Sequence, residues 1–209
     1  MACNSSSRTP SAATGGFLKK HRAPAQKRLP QALSDPQCRQ LLAAVEKPVH
    51  RVCFAAMYGC GLRISEALCL TPAHIDKDRR VIRLVGKGNK ERLVPLPDSV
   101  LRGMRDAWRA HRNPECIFAN RRAGGPLHRK TLYRAFRHAR AAVDLPQATP
   151  HVLRHSYATR LLEKGVKVDV VQILLGHASP RTTQTYLHLT EPLRDQIHAV
   201  IGDIMSGLC

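Results

Sequence analysis

The stretch from Thr149 to His188, TPHVLRHSYATRLLEKGVKVDVVQILLGHASPRTTQTYLH, constrains the chain most, because its punctuation divides it into three short helices. Thr149-Pro150 reads as an N-cap followed by proline at the first helical position, where the missing N–H is not needed. The helix it opens carries His151 and Arg154 one turn apart, so both are expected on one polar, directed face. Leu174-Leu175-Gly176 reads as a helix end with a left-handed glycine stop, and His177 follows it directly. Ser179-Pro180 can open the next helix, which carries Tyr186. A base, cations and a hydroxyl group thus fall within one short stretch.

The rest of the chain reads as support and substrate grip. Residues 1–30 hold Ser, Ala, Pro and basic residues with only Phe17 and Leu18 as bulky apolar side chains, too few to offset the entropy of ordering, so a flexible basic arm is expected. Residues 31–209 are expected to form one domain. Ser34-Asp-Pro-Gln37 has the spacing of a capping box, and Leu41, Leu42 and Val45 follow on one helical face. Val49, Val52, Cys53, Ala56 and Met57 repeat at helical spacing up to a stop at Gly59-Cys-Gly61, directly before Arg63. The period changes at Arg80. Val81–Val85, the turn residues Gly86-Lys-Gly-Asn-Lys90 and Leu93-Val94 make a β-hairpin, and a short strand near His74-Ile75-Asp76 would complete a three-stranded sheet. Helices are expected over 98–111 and 129–143, with a basic loop over 121–125 between them. In the second helix Leu132, Phe136, Ala139 and Val143 form the apolar stripe, leaving Arg134, Arg137 and Arg140 to grip phosphates. A last helix from Thr190 to Met205 carries Leu193, Ile197, Val200, Ile201 and Ile204, a stripe that suits packing in cis or against another protomer equally.

Charge narrows the partner. The chain has 34 Lys plus Arg against 15 Asp plus Glu, a formal +19 spread along its length, which makes nucleic acid the leading partner. No apolar run approaches the roughly 20 residues that span a bilayer, so a membrane role is not expected. The seven cysteines are odd in number and scattered, without a C-x-x-C pair, which argues against a disulfide framework. Cys53 and Cys69 read as small hydrophobes in helical surroundings, and a reducing cytosol fits best. His151 and His155 have the spacing of a zinc helix, but Val152 stands where the general-base Glu would be and a third ligand is missing, so no metal is expected.

Five blocks in order carry a family resemblance: GLRISEAL with Arg63, GKGNKERLVPL with Lys87, His151-x-x-Arg154-His155 continuing into SYATRLLEKG, LLGHAS with His177, and Tyr186 nine residues later. From about Leu33 to the C-terminus the chain resembles the tyrosine recombinases, or phage-type integrases, and within them the Xer-like members. The resemblance implies a mainly α catalytic domain with a small three-stranded antiparallel β-sheet, the fold shared with type IB topoisomerases. It also implies a helical core-binding domain ahead of this one, and residues 1–30 do not read as such a domain, so that element is expected to be absent.

The implied chemistry is strand cleavage and rejoining on double-stranded DNA through a 3′-phosphotyrosyl link. Such a link conserves the phosphodiester's energy, so neither ATP nor another cofactor is expected. Phosphoryl transfer develops charge on non-bridging oxygens, which a metal-free site must meet with fixed cations and directed hydrogen bonds. The planar, permanently charged fork of arginine suits this, the role given to Arg63 and Arg154, with His177 as a further donor. By resemblance Tyr186 is the nucleophile, His151 accepts its proton, and Lys87 at the hairpin tip protonates the leaving 5′ oxygen, with Lys90 the nearby rival. Taken without the resemblance, Tyr186 reads as a half-buried packing residue and each arginine as a solvated charge. Glu66, one turn after Arg63, is expected to buttress an active-site cation or to form an ordinary helix salt bridge. Lys90, Arg92, Arg129, Arg134, Arg137 and Arg140 are the expected duplex contacts. The expected function is site-specific recombination or integration by a cytoplasmic, bacterial-type enzyme of a mobile element, assembling as a homo-oligomer on DNA through the C-terminal helix. A type IB topoisomerase-like relaxing enzyme and a non-catalytic DNA-binding remnant are the alternatives.

Overall fold

The computed structural model describes residues 32–85, 91–120, 124–176 and 191–205. The expected N-terminal arm, the hairpin tip and the helix carrying Tyr186 lie outside the described residues. Helix α1 (Asp35–Ala43) begins at the capping box read from sequence: Gln37 N–H donates to the Ser34 hydroxyl and Ser34 N–H donates to the Gln37 side chain at 2.9 Å. Helix α2 (Pro48–Gly59) is apolar nearly all round, which marks an interior helix, and its residues from Cys53 to Gly59 are all buried. Short α3 (Ile64–Leu68) follows, then a single 3₁₀ turn (Pro72–His74).

The sheet is three-stranded and antiparallel, ordered β1 (Ile75–Asp76), β2 (Val81–Val85), β3 (Glu91–Pro95). His74 belongs to the 3₁₀ turn rather than to β1. Register pairs Ile82 with Val94 and Leu84 with Arg92, so the inward face of the hairpin is Ile82, Leu84, Val94 and, unexpectedly, Arg92. Helices α4 (Asp98–Arg109), α5 (Arg129–Ala142), α6 (Pro150–Glu163), α7 (Val168–Leu175) and α8 (Glu191–Met205) complete the described chain. Helix α5 buries Leu132, Phe136 and Ala139, with Phe136 edge-on to Phe54 of α2 at 5.3 Å between ring centroids. No helix among the described residues is long and apolar enough to cross a membrane.

Helix α6 runs through the middle. Val152, Leu153, Tyr157 and Leu161 are buried, and Tyr157 lies so close to Gly61 that a Cβ there would meet its ring at 2.6 Å. Gly61 also has φ +60, so no other residue fits without strain. The same helix clasps the start of the domain. Leu33 N–H donates to the Ser156 hydroxyl at 2.9 Å, Arg160 donates to the Leu33 carbonyl at 3.1 Å, and Arg160 pairs with Asp35 at 3.0 Å. Asp35 also accepts from the Tyr58 hydroxyl at 2.7 Å.

One expectation needs adjustment, and one open alternative takes a definite form. Cys69, the C-cap residue of α3, is exposed and not a core residue, because α3 buries the face of Ile64 and Ala67 and a residue two positions past Ala67 falls on the other side of the helix; Cys53 is fully buried, and burial pushes its thiol up to about 12. The apolar stripe of α8 packs within the same chain: Ile197, Ile201, Ile204 and Met205 are buried in the core shared with α2, α6 and β3. Lys164, just past α6, pairs with Asp203 of α8 at 2.6 Å. Because Ile201 is 1% exposed in cis, Ile201→Ala is expected to destabilise the monomer by about 2–5 kcal/mol. Urea unfolding at several protein concentrations checks this; a loss that appears only at concentrations where the chain self-associates would place the stripe against another copy.

Candidate active site

The site is built from the ends of three elements around the carboxylate of Glu66. After α2 stops, left-handed Gly61 turns the chain, and Arg63 takes the N-cap position of α3 with extended backbone. Glu66, three residues on, accepts from the Arg63 backbone N–H at 2.7 Å and from the Arg63 guanidinium at 2.7 Å. Arg92, from β3, donates to the same carboxylate at 2.8 Å, and Arg154, from α6, stands 3.7 Å from it. Three guanidinium groups from distant parts of the chain therefore converge on one acid. Their exposures differ: the Arg63 side chain is 41% exposed, whereas Arg92 and Arg154 are buried.

Arg154 is held by backbone as well. It donates to the carbonyl of Gly61 at 2.5 Å and to the carbonyl of Leu175, the last residue of α7. Arg92 donates through Nε to the adjacent carbonyl of Leu174 at 3.2 Å. The final carbonyls of a helix lack partners within it and carry the negative end of its dipole, so two buried cations there satisfy both needs. Helix α7 then ends at Gly176 in the left-handed conformation, φ 65 and ψ 44, the stop read from sequence. Gly176 is required twice, since a Cβ would meet Nη1 of Arg92 at 2.9 Å.

Electrostatics follow from this packing. Burial, then the charges of Arg63 and Arg92, pull the Arg154 guanidinium down to about 10 against the opposing pull of Glu66, so it remains a cation at neutral pH. Burial pushes the Glu66 carboxyl up, but hydrogen bonds from Arg92 and Arg63 outweigh it and hold Glu66 below the usual carboxylate range. A guanidinium has five N–H donors, so holding two carbonyls does not exhaust Arg154, and half-exposed Arg63 supplies the outward-facing charge.

Arg154 is thus brought together with Arg63 and Glu66, which lie far from it in sequence. His151 stands one turn before Arg154 but is exposed where Arg154 is buried. Three residues of helix leave two side chains roughly 60° apart, enough to put one at the rim and the other beneath it. Lys87, Lys90, His177 and Tyr186 lie outside the described residues. Of the expected duplex contacts, Arg129, Arg134 and Arg137 are exposed along α5, beside an open cleft of about 850 Å³ that reaches Thr149 and Pro150 at the start of α6. Arg129 lies over the Tyr133 ring, 5.5 Å from its centroid. Arg140 is half-buried and donates to the Ala148 carbonyl at 2.6 Å, which fixes the loop into α6. Arg92 is corrected outright: at 7% exposure it is no surface contact, because strand alternation turns it inward beside Val94 and its guanidinium is bonded to Glu66 and Leu174. That alternation was the signal in the sequence. Among the described residues no cluster of three metal-capable side chains occurs.

Glu66 has its folded pKa below the ordinary value, so its contribution to stability is fully present above that ordinary value near 4.5 and is lost as pH falls through the depressed folded value. Glu66→Gln is expected to flatten this acid limb of the stability–pH curve and to lower stability at neutral pH, where Arg92 loses its counter-charge. Chemical denaturation between pH 3 and 7, a range of about four units around the carboxylate values, checks it; an unchanged acid limb would show that the carboxylate is not the group titrating.

Known proteins share both the sequence and the fold. The model of the phage integrase family matches residues 31–192. Tyrosine recombinase XerD of Proteus mirabilis is 37% identical over 183 residues, covering 80% of this chain and 58% of that protein. Tyrosine recombinase XerC of Agrobacterium fabrum is 43% identical over 180 residues, covering 79% of this chain and 56% of that protein. The chain therefore spans little more than half the length of these curated relatives. Among solved structures, the integrase from mycobacterium phage Brujita matches with TM-score 0.67 at 25% identity, over 85% of this chain and 59% of that one. The XerH site-specific recombinase, bound to difH substrate in a pre-cleavage complex, matches with TM-score 0.65 at 25% identity, over 81% of this chain and 54% of that one. With this match across most of its length, and with the mainly helical, three-stranded architecture in common, the chain belongs to the phage integrase family.

Proposed function

We propose that this chain is the strand-cleaving part of a site-specific DNA recombinase, cutting and rejoining duplex DNA through a 3′-phosphotyrosyl link at Tyr186. The observation that carries the reading is the convergence of Arg63 and Arg154 on Glu66, which fixes two cations beside each other with one of them half-exposed. A scissile phosphate approaching Arg63 would find positive charge already oriented, which is what stabilises a phosphoryl transition state without a metal. His151 at the rim and His177 after the α7 stop supply further hydrogen bonds, His151 receives the phenolic proton, and Lys87 protonates the leaving oxygen. The DNA-complexed recombinase among the structural relatives supports duplex DNA as substrate.

The exposed arginines of α5 carry the sequence-independent part of affinity. Several copies assemble on the DNA in this reading, in the compartment that holds the DNA, the bacterial cytoplasm. Because the apolar stripe of α8 is buried in cis, any exchange of that helix between copies requires it to leave its seat.

The decisive test is covalent capture. Incubated with the DNA adjacent to its own gene, the protein is expected to form a detergent-stable protein–DNA adduct that Tyr186→Phe abolishes; no adduct with any such fragment would leave only a DNA-binding role, and relaxation of supercoils without strand exchange between defined sites would make it a relaxing enzyme. A second expectation concerns affinity. Replacing Arg134 and Arg137 by Glu should weaken binding to all sequences and reduce the magnitude of the salt slope by about 2; an unaltered slope in fluorescence anisotropy titrations would remove α5 from the interface.

A further inference from the structure

Among the described residues, the buried Arg92 has no part in the chemistry proposed above, yet it is bonded to the same carboxylate and the same helix end as Arg154. It leaves the hairpin strand β3, faces inward opposite Leu84, and reaches two other elements at once. Its Nη2 donates to Glu66 at 2.8 Å, its Nε donates to the Leu174 carbonyl at 3.2 Å, and its guanidinium lies against the α-carbon side of Gly176. Through Glu66 it meets Arg63, and at the end of α7 it holds the Leu174 carbonyl, next to the Leu175 carbonyl that holds Arg154. The strand that bears it continues directly from the hairpin tip that carries Lys87, and Gly176 leads directly into His177.

We infer that Arg92 is a positioning residue for strand cleavage, a buried strut that locks the hairpin strand, the Glu66 carboxylate and the end of α7 into one frame. The inference rests on the catalytic reading of Arg63, Arg154, His177 and Lys87. Its physical basis is that a planar fork can hold a carboxylate and a carbonyl in fixed relation, which the single rotatable ammonium of lysine cannot. Arg92 also supplies charge. Glu66 is faced by Arg63 from α3, Arg92 from β3 and Arg154 from α6, and Arg92 is the strongest of the partners that keep it ionised. Without Arg92 the balance moves toward burial, the Glu66 carboxyl takes up its proton at higher pH, and Arg63 loses its charged anchor earlier as pH falls.

The experiment measures single-turnover adduct formation on the DNA fragment that the wild-type chain cleaves, for Arg92→Gln, Arg92→Lys, Glu66→Gln and the double variant, each checked for folding by circular dichroism. Arg92→Gln is expected to slow cleavage by about 100-fold, the effect of a misplacement near 1 Å, while duplex binding stays at the wild-type level. The acid limb of its pH–rate profile should move to higher pH, because Glu66 then protonates more easily. Arg92→Lys should return that limb toward its wild-type position but leave the rate low, and Arg92→Gln should add little to Glu66→Gln. Loss of binding in parallel with cleavage at an unmoved acid limb would make Arg92 a phosphate contact or a general stability element and overturn the proposal. So would effects of the two substitutions that multiply, full rescue by lysine, or failure of both Arg92 variants to fold. A wild-type chain that forms no adduct removes the catalytic reading itself, and a normal wild-type adduct with unimpaired Arg92→Gln removes only this inference.

Discussion

A half-buried carboxylate surrounded by three guanidinium groups is the constraint on which the rest of this structure depends. Removing a charge from water is expensive unless it is paired and its remaining hydrogen-bonding capacity is filled, and here each member answers for the others. Glu66 receives four contacts from Arg63, Arg92 and Arg154, counting the Arg63 backbone N–H. Arg92 and Arg154, buried among apolar residues, have Glu66 on one side and the carbonyls at the end of α7 on the other. None of these groups is stable in its position alone, so the cluster fixes how α3, β3, α6 and α7 lie relative to one another.

The packing around the cluster serves the same end. Helix α6 is locked by the approach of Tyr157 to Gly61 and by the clasp of Ser156 and Arg160 on Leu33 and Asp35, so Arg154 projects from a helix that has little freedom to shift. Two left-handed glycines, Gly61 and Gly176, bracket the site, and each lies at or beside a carbonyl that Arg154 holds. At both places the chain must turn sharply and also admit a bulky neighbour, and only glycine meets both demands.

Charge is divided between two layers. The arginines of the cluster are paired and partly or wholly withdrawn from solvent, whereas Arg129, Arg134 and Arg137 stand exposed on α5 beside an open cleft. Exposed cations attract a polyanion from a distance and are sensitive to salt; buried ones, in a lower dielectric, act strongly over short range and are screened little. In a chain of formal charge +19, the number of cations thus says little about their roles, and burial sorts them.

Much of this was open to reading from residues alone because it is local. The capping box at Ser34 and Gln37, the stop of α2 before Arg63, the hairpin, the apolar stripe of α5, Pro150 at the start of α6 and the left-handed Gly176 each depend on neighbours a few positions away. Spacing also set His151 and Arg154 one turn apart and Glu66 one turn after Arg63. Tertiary structure alone decided which of these side chains face inward. It buried Arg154 and left His151 exposed, withdrew Arg92 from the surface to bind Glu66 and Leu174, and seated the stripe of α8 in its own chain. The reason is that a cation's role depends on what lies opposite it, and the partners of Arg92 and Arg154 stand up to 93 residues away along the chain, where no local pattern reaches.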